Sequence, residues 1–443
     1  MLKERYRDNF IKATLLLKTL QDNPERLDII LELHKLIIRG IVKQEELIAF
    51  DKSGSKRLDF FRKNKKPNRA VSVVVKIMRE RMLERIKQRK NIIFLYKCFG
   101  DGIAHIYQSM YALKHLYYDS NYQVKEDAGY ISGKRGFLWE WKIFLTALKY
   151  NVPAVMSDVT NIIRNGDVCA LGGKDPLPIE VKLTKHANPG ARVRRQIDHI
   201  SEIVSFYHHD FARQFRGGFD AYRIPLAFKH VDYINDINYL AEACHRKNYA
   251  YKEVEKGLVY FCINTKLNES DLLAAMERMT EIVNLSSTLT ISINPDEIWS
   301  VAYPFTLSLT SSNLIKFIYS DINIYILIDL EVIRSMFFNN KIHATFLMDG
   351  NSAMQICKDP DDLLKGVYRI SELHFLRNIA SFLSVEIFVD ECSKSLSDDE
   401  LSTKSVTKEM YENLLRTGQI VDEDTIKKWS EIKYCLRDPD NDC

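Results

Sequence analysis

The chain has 443 residues, more than one hydrophobic core usually supports, so two or three domains are expected. With 46% hydrophobic and 28% charged residues it has the composition of a globular protein. A net charge of +4 excludes a polycation, so any nucleic-acid affinity has to come from a local patch. The eight cysteines form no C-x-x-C pair, which argues against structural zinc and fits buried thiols in a reducing compartment. No apolar run approaches the roughly 18 residues of a membrane span, and the N-terminus lacks the apolar region of a signal peptide. A cytoplasmic protein with no membrane partner is expected.

Residues 1–95 read as a helical, basic region. Leu15 to Leu20 precede a break at Asp22-Asn-Pro24, and a stripe from Leu27 to Ile37 predicts a helix ending at Gly40. Between 51 and 90, fifteen Lys and Arg face four acids. Such a run is either a solvated helix face or a phosphate-tracking patch. On the second reading Lys63, Lys65, Lys66 and Arg69, in an expected loop around Pro67, are candidate nucleic-acid contacts.

Residues 96–250 hold the expected core, and several segments can be placed in it. Gly100-Asp101-Gly102 predicts a tight turn before a helix carrying Ile106, Met110, Leu113 and Leu116, with nothing independent to make Asp101 or His105 part of a site. After a polar loop to Lys134, Gly136 opens a helix carrying Glu140. Val152–Ser157 predicts the first strand, followed by Asp158. Asp167-Val-Cys-Ala-Leu171 predicts the second, and a turn through Gly172, Gly173 and Pro176 leads to Pro178–Leu183. That last run alternates, sending Ile179, Val181 and Leu183 to one face and Glu180 and Lys182 to the other. Asp167, at the start of the neighbouring strand, comes close across the hairpin. Two carboxylates and a lysine so placed can hold a divalent cation and a water beside a phosphate. Asp158 is a rival acid that joins or replaces Asp167 if the hairpin begins earlier.

A helix from about Arg192 to Tyr207 follows, with Arg192, Arg194 and Arg195 in its first turn. The helix dipole disfavours cations there, a misfit tolerated where anions bind. The His208-His209 pair reads as structural rather than metal-binding, and Arg223–Phe228 as an edge strand broken by Pro225. Residues 251–390 mix helix and strand with no motif, with Leu258–Ile263, Ile291–Ile293, Val301–Leu309, Ile322–Ile328 and His343–Leu347 expected to be extended. Residues 391–443 form an acidic tail with short helices near 408–415 and 424–432.

The Asp167…Glu180-Val181-Lys182 pattern, spaced 180 − 167 = 13, resembles the PD-(D/E)xK nuclease superfamily, with its restriction-endonuclease-like fold. The Pro of the family's Pro-Asp is replaced by Gly166. Two flanking matches support the resemblance, which covers residues 130–230: Glu140 stands where the first core helix carries a metal-proximal Glu, and Gln196 on the helix after the catalytic strand, where several branches place a Gln or Arg. The resemblance implies a core with a mixed sheet flanked by helices; with the helical N-terminal region and the α/β C-terminal region read from the residues, an α/β protein is expected. It implies a Mg- or Mn-dependent nuclease, with Asp167, Glu180, Lys182, Glu140 and Gln196 catalytic and Asp167, Glu180, Glu140 and the Val181 carbonyl around the metal. DNA is the expected substrate, and the chain looks like a restriction or antiphage-defence effector, as a homodimer or with a partner protein of a defence system. The competing expectations are a non-catalytic nucleic-acid-binding scaffold and an RNA-directed nuclease.

Overall fold

Asn68, just after Pro67, accepts the amide of Val71 at 3.0 Å and starts a helix that runs back along the one before it. In the computed structural model the described residues are 2–65, 67–119, 124–125, 129–181, 191–216, 219–223, 228–284, 286–295, 304–363 and 366–397. They group into two compact units, 1–224 with 294–322, and 225–293 with 323–443. Both mix helix and sheet, and no helix among the described residues is long and apolar enough to cross a membrane.

The first unit opens with α1 (Arg7–Asp22), α2 (Leu27–Lys65), α3 (Arg69–Tyr107) and the short α4 (Met110–Leu113). Helices α2 and α3 form a hairpin of two 39-residue arms. Its base is apolar, built on Ile30, Leu33, Ile37, Ile41, Leu95 and Phe99. Further out the interface turns ionic: buried Asp51 takes Arg89, and Arg85 at 2.7 Å.

Four expectations fail along this hairpin. The helix does not stop at Gly40; it passes through, because the missing Cβ leaves room for the Tyr96 ring against the backbone. Arg62–Lys65 are the last turn of α2 rather than a loop. Gly100-Asp101-Gly102 is not a turn but lies inside α3, where a Cβ on Gly100 would run into the carbonyl of Val159. Nor does a boundary fall at residue 95, since α3 runs unbroken across it.

Next come α5 (Phe137–Lys149), β1 (Ala154–Met156), β2 (Val168–Ala170) and β3 (Leu177–Ile179), an antiparallel sheet in that order. The hairpin register pairs Val168 with Ile179 and Ala170 with Leu177. Both strands begin close to where the sequence places them. The third strand is shorter than expected and its alternation is shifted. It ends at Ile179, Pro178 is the buried residue, and Ile179, Glu180 and Val181 are half-buried. The reason is Asp167, whose carboxylate takes the Val181 amide at 2.8 Å and draws the chain out of the ladder. Leu183 and Lys182 lie outside the described residues.

Helix α6 (Ala191–His209) follows, then a hairpin of β4 (Phe211–Arg216) and β5 (Phe219–Tyr222). The strand expected at Arg223–Phe228 is not found at Arg223, and residues 224–227 lie outside the described set.

The second unit has α7 (Ile234–Lys247), β6 (Tyr249–Glu255), β7 (Leu258–Asn264), α8 (Glu269–Glu281) and β8 (Thr288–Ile293). The chain returns to the first unit for α9 (Phe305–Ser308) and α10 (Ser311–Ile318), so Phe305–Ser308 is helical where a strand is expected. Then come β9 (Ile322–Asp329), α11 (Leu330–Asn339), β10 (His343–Phe346), β11 (Ser352–Cys357), β12 (Val367–Ser371), α12 (Glu372–Ala380) and α13 (Val385–Ser397). One sheet has the order β6-β7-β9-β8 and another β10-β11-β12. Helix α13 carries ordered chain past residue 391, where a tail is expected; the tail helices lie outside the described residues.

Candidate active site

Four segments of the first unit meet at one end of the β1–β3 sheet. Helix α5 begins at Gly136 and brings Glu140 round in its first turn. A single 3-10 turn, Ser157–Val159, follows β1 and carries Asp158. Asp167 stands directly before β2, its amide bonded to the Ile179 carbonyl at 2.8 Å and its own carbonyl taking the Ser157 amide at 3.0 Å. Gly166 makes this possible. It sits at φ +78°, and a Cβ there would lie 2.9 Å from the Ile179 nitrogen. Glycine at this position therefore has a local reason.

The three acids do not face empty volume. The Lys134 ammonium lies 2.7 Å from Asp158 Oδ2, 2.8 Å from Glu140 Oε2 and 3.5 Å from Asp167 Oδ1. The Glu140 and Asp158 side chains are each 4% exposed, against 19% for Asp167 and 28% for Lys134, so the cluster opens to solvent on the lysine side. Burial pushes the Glu140 carboxyl up to about 6, with Lys134 opposing and the neighbouring acids adding to the rise. Burial also works against the charge on Lys134, but Asp158 and Glu140 outweigh it and hold the ammonium above the usual lysine range.

The surrounding shell comes from the helical hairpin. Glu45 of α2 accepts the amides of Ile131 (3.1 Å) and Ser132 (2.7 Å), fixing the segment that carries Lys134. His34 of α2 joins Ile30 O at 2.8 Å through Nδ1 and the Met156 amide at 3.3 Å through Nε2, with its ring 4.2 Å from that of Phe144. Its carbonyl and amide partners require the neutral ring protonated on Nδ1. Burial pushes its pKa down to about 4. Asp101 of α3 takes the amides of Asn161 (2.7 Å) and Ile162 (3.1 Å) and the Asn161 side chain (2.8 Å), holding the loop between Asp158 and Asp167.

No family model, no curated protein and no solved structure matches this chain. The site therefore stands on its own geometry.

Of the expected residues, the structure brings Glu140 and Asp167 together and ties the Val181 backbone to Asp167. Asp158 joins Asp167 instead of replacing it. Glu180 is half-buried one residue before Val181. Gln196 is half-buried on α6 and is not among the groups that touch Lys134. Arg194 and Arg195 are exposed in the first turns of α6, and Lys63, Lys65 and Arg69 are exposed at the tip of the hairpin. Lys182, Lys66 and the Arg192 side chain lie outside the described residues. The sequence reading missed Lys134, although Gly133-Lys134-Arg135-Gly136, two cations between glycines just before the Glu140 helix, was a visible signal.

Three carboxylates and nearby backbone carbonyls are hard oxygen donors, the set that suits Mg²⁺ or Mn²⁺. Among the described residues no three His, Cys, Asp or Glu side chains are grouped closely enough to hold a metal ion as they stand. The acids are arranged around an ammonium.

Proposed function

We propose that the chain is a metal-dependent nuclease with a restriction-endonuclease-like core, hydrolysing phosphodiester bonds, with DNA as the substrate. The observation that carries the reading is the meeting of Glu140, Asp158 and Asp167, from three successive elements, at one end of a sheet whose next segment is Glu180-Val181. Glu140, Asp158, Asp167 and the Val181 carbonyl would hold Mg²⁺ or Mn²⁺. When bound, the metal offsets charge on the phosphate and acidifies a water. Of the chain's own groups, Asp167 has one oxygen committed to the Val181 amide and one facing the cation position, so it orients the Glu180 segment and binds at once. Lys182 is the group proposed to stabilise charge developing on the phosphate.

Substrate would be gripped at two distances. Arg194 and Arg195 are exposed on α6, which leaves the site segment directly. From Glu45, which anchors the site, to Lys65 at the hairpin tip is 20 residues of α2. That is about 30 Å at about 1.5 Å per residue, or about nine base pairs of duplex at about 3.4 Å each. Lys63, Lys65 and Arg69 would meet phosphates remote from the cut.

The test is to incubate the full chain with plasmid DNA and with RNA, in Mg²⁺ or in EDTA. Cleavage in Mg²⁺, abolished by chelator and cut by about 10² to 10³ in Asp167→Ala, is the expected result. Cleavage undiminished in EDTA, or none of either substrate in Mg²⁺ or Mn²⁺, overturns the reading.

A further inference from the structure

We propose that Lys134 is the resident counter-cation of the acidic site: it holds Glu140, Asp158 and Asp167 together without a divalent metal and is displaced when the metal binds. The inference rests on the metal-site reading above and adds how that site is regulated. Three oxygens from three different elements point at one ammonium, at 2.7, 2.8 and 3.5 Å. Magnesium draws oxygens to about 2.0–2.1 Å and carries two charges. With twice the charge and a shorter reach it outcompetes the ammonium for these oxygens, so the acids close in and the lysine leaves.

The chain around Lys134 is built for that exchange. Upstream, Ile131 and Ser132 are pinned by Glu45. Downstream, α5 begins, with the Trp139 amide on Gly136 O at 2.9 Å. Only Gly133 to Gly136 lie between, and Gly133 sits at φ +80° with open space where a Cβ would be. With both flanks fixed, the lysine moves by rotating its four-carbon stem, and its partial exposure is the way out. An ordinary buried ion pair has no such exit. The arrangement keeps three acids from repelling one another before metal arrives, and it makes metal binding a competition with an internal cation.

The experiment uses the full chain, wild type and Lys134→Met, with MgCl₂ or MnCl₂ as the probe. Mass-spectrometric footprinting with an amine-acylating reagent should find Lys134 protected in EDTA and labelled in Mg²⁺. Calorimetric titration should show Lys134→Met binding Mg²⁺ about tenfold more tightly, since the competitor is gone. Its melting temperature should fall in EDTA and recover more with Mg²⁺ than that of the parent. Should Lys134→Met fold poorly, Lys134→Gln, which keeps a donor but no charge, gives the same comparison. Lys134 equally protected with and without Mg²⁺, together with unchanged affinity in the variants, overturns the proposal. If the footprint and affinity respond but no nucleic acid is cut, the exchange stands and the nuclease reading falls. If cleavage occurs while Lys134 stays protected, the nuclease reading stands and the exchange falls.

Discussion

The β1–β3 sheet of the first unit and the β6-β7-β9-β8 sheet of the second differ in the balance of apolar area and polar links that holds them. In the second, every residue of β7 from Leu258 to Asn264 is buried, and Phe261, Val259 and Ile263 pack with Ala275 and Met279 of α8 and Leu327 of β9. Tyr249 and Tyr251 stack their rings on Phe261. The first sheet has strands of only three residues each, so although Ala154, Val155, Met156, Val168 and Cys169 are fully buried it has fewer apolar side chains to hold it than the seven-residue β7. It is fastened by polar links to its neighbours: His34 to Met156, Asp101 to the 160–163 loop, Asp167 to Val181 and Lys134 to the acids. A sheet secured by apolar area tolerates changes of charge and pH. A sheet secured by a few oriented polar groups can hold ionisable residues at fixed spacing, and becomes sensitive to all of them.

The contrast can be broken hardest in the second unit. Phe261→Ala removes a fully buried ring from the strand that anchors its sheet, and should cost about 3–5 kcal/mol of that unit's stability in urea unfolding. A loss under about 1 kcal/mol would mean that the apolar cluster is not what holds the sheet.

Acid should act on the first sheet through His34. Its pKa falls from 6.5 unfolded to about 4 folded, so the native state favours the neutral ring. The stabilisation is present above pH 6.5 and lost as pH falls towards 4, by about 3 kcal/mol in full at about 1.36 kcal/mol per unit. Burial raises Asp101 and Glu140 to about 6, and this acts in the opposite direction: a raised acid is most stabilising when protonated, below its unfolded value. The two effects are separated by comparing unfolding at pH 7 and pH 5 in the parent and in His34→Gln. An identical pH slope in both would remove His34 from the account.

A smaller effect, about 1–3 kcal/mol, is expected of Gly166→Ala, which puts a side chain at φ +78° against the Ile179 amide. Because Asp167 is the next residue, Mg²⁺ affinity should fall with stability; affinity kept at the parent's value would show that Asp167 tolerates the shift. The smallest effect belongs to the hairpin tip. Replacing Lys63, Lys65 and Arg69 with Ala should leave folding intact and flatten the salt dependence of DNA binding by about 0.9 in slope per lost phosphate contact. An unchanged slope makes the tip ordinary solvated surface.

Local pattern was enough for much of this molecule. The turn glycines 172 and 173 and the acid before an apolar run located the β2–β3 hairpin and placed Asp167 at its start, while the alternation after Pro176 marked the third strand but not which of its residues is buried. Helix α6 was equally legible, because a helix that buries one face repeats every 3.6 residues wherever it sits. What local pattern could not supply was the partner of a glycine or a charge. Gly40 and Gly100 read as punctuation, yet both lie mid-helix because Tyr96 and the Val159 carbonyl need the space, and those partners are 56 and 59 residues away in sequence. Asp101 looked idle because its acceptors' donors lie sixty residues on. Lys134 looked like the end of a loop. Only the fold, by bringing α5, the turn after β1 and the start of β2 to one place, set three carboxylates around it. An ion cluster draws its energy from distances across space, and sequence spacing carries that information only when the charges sit on one element.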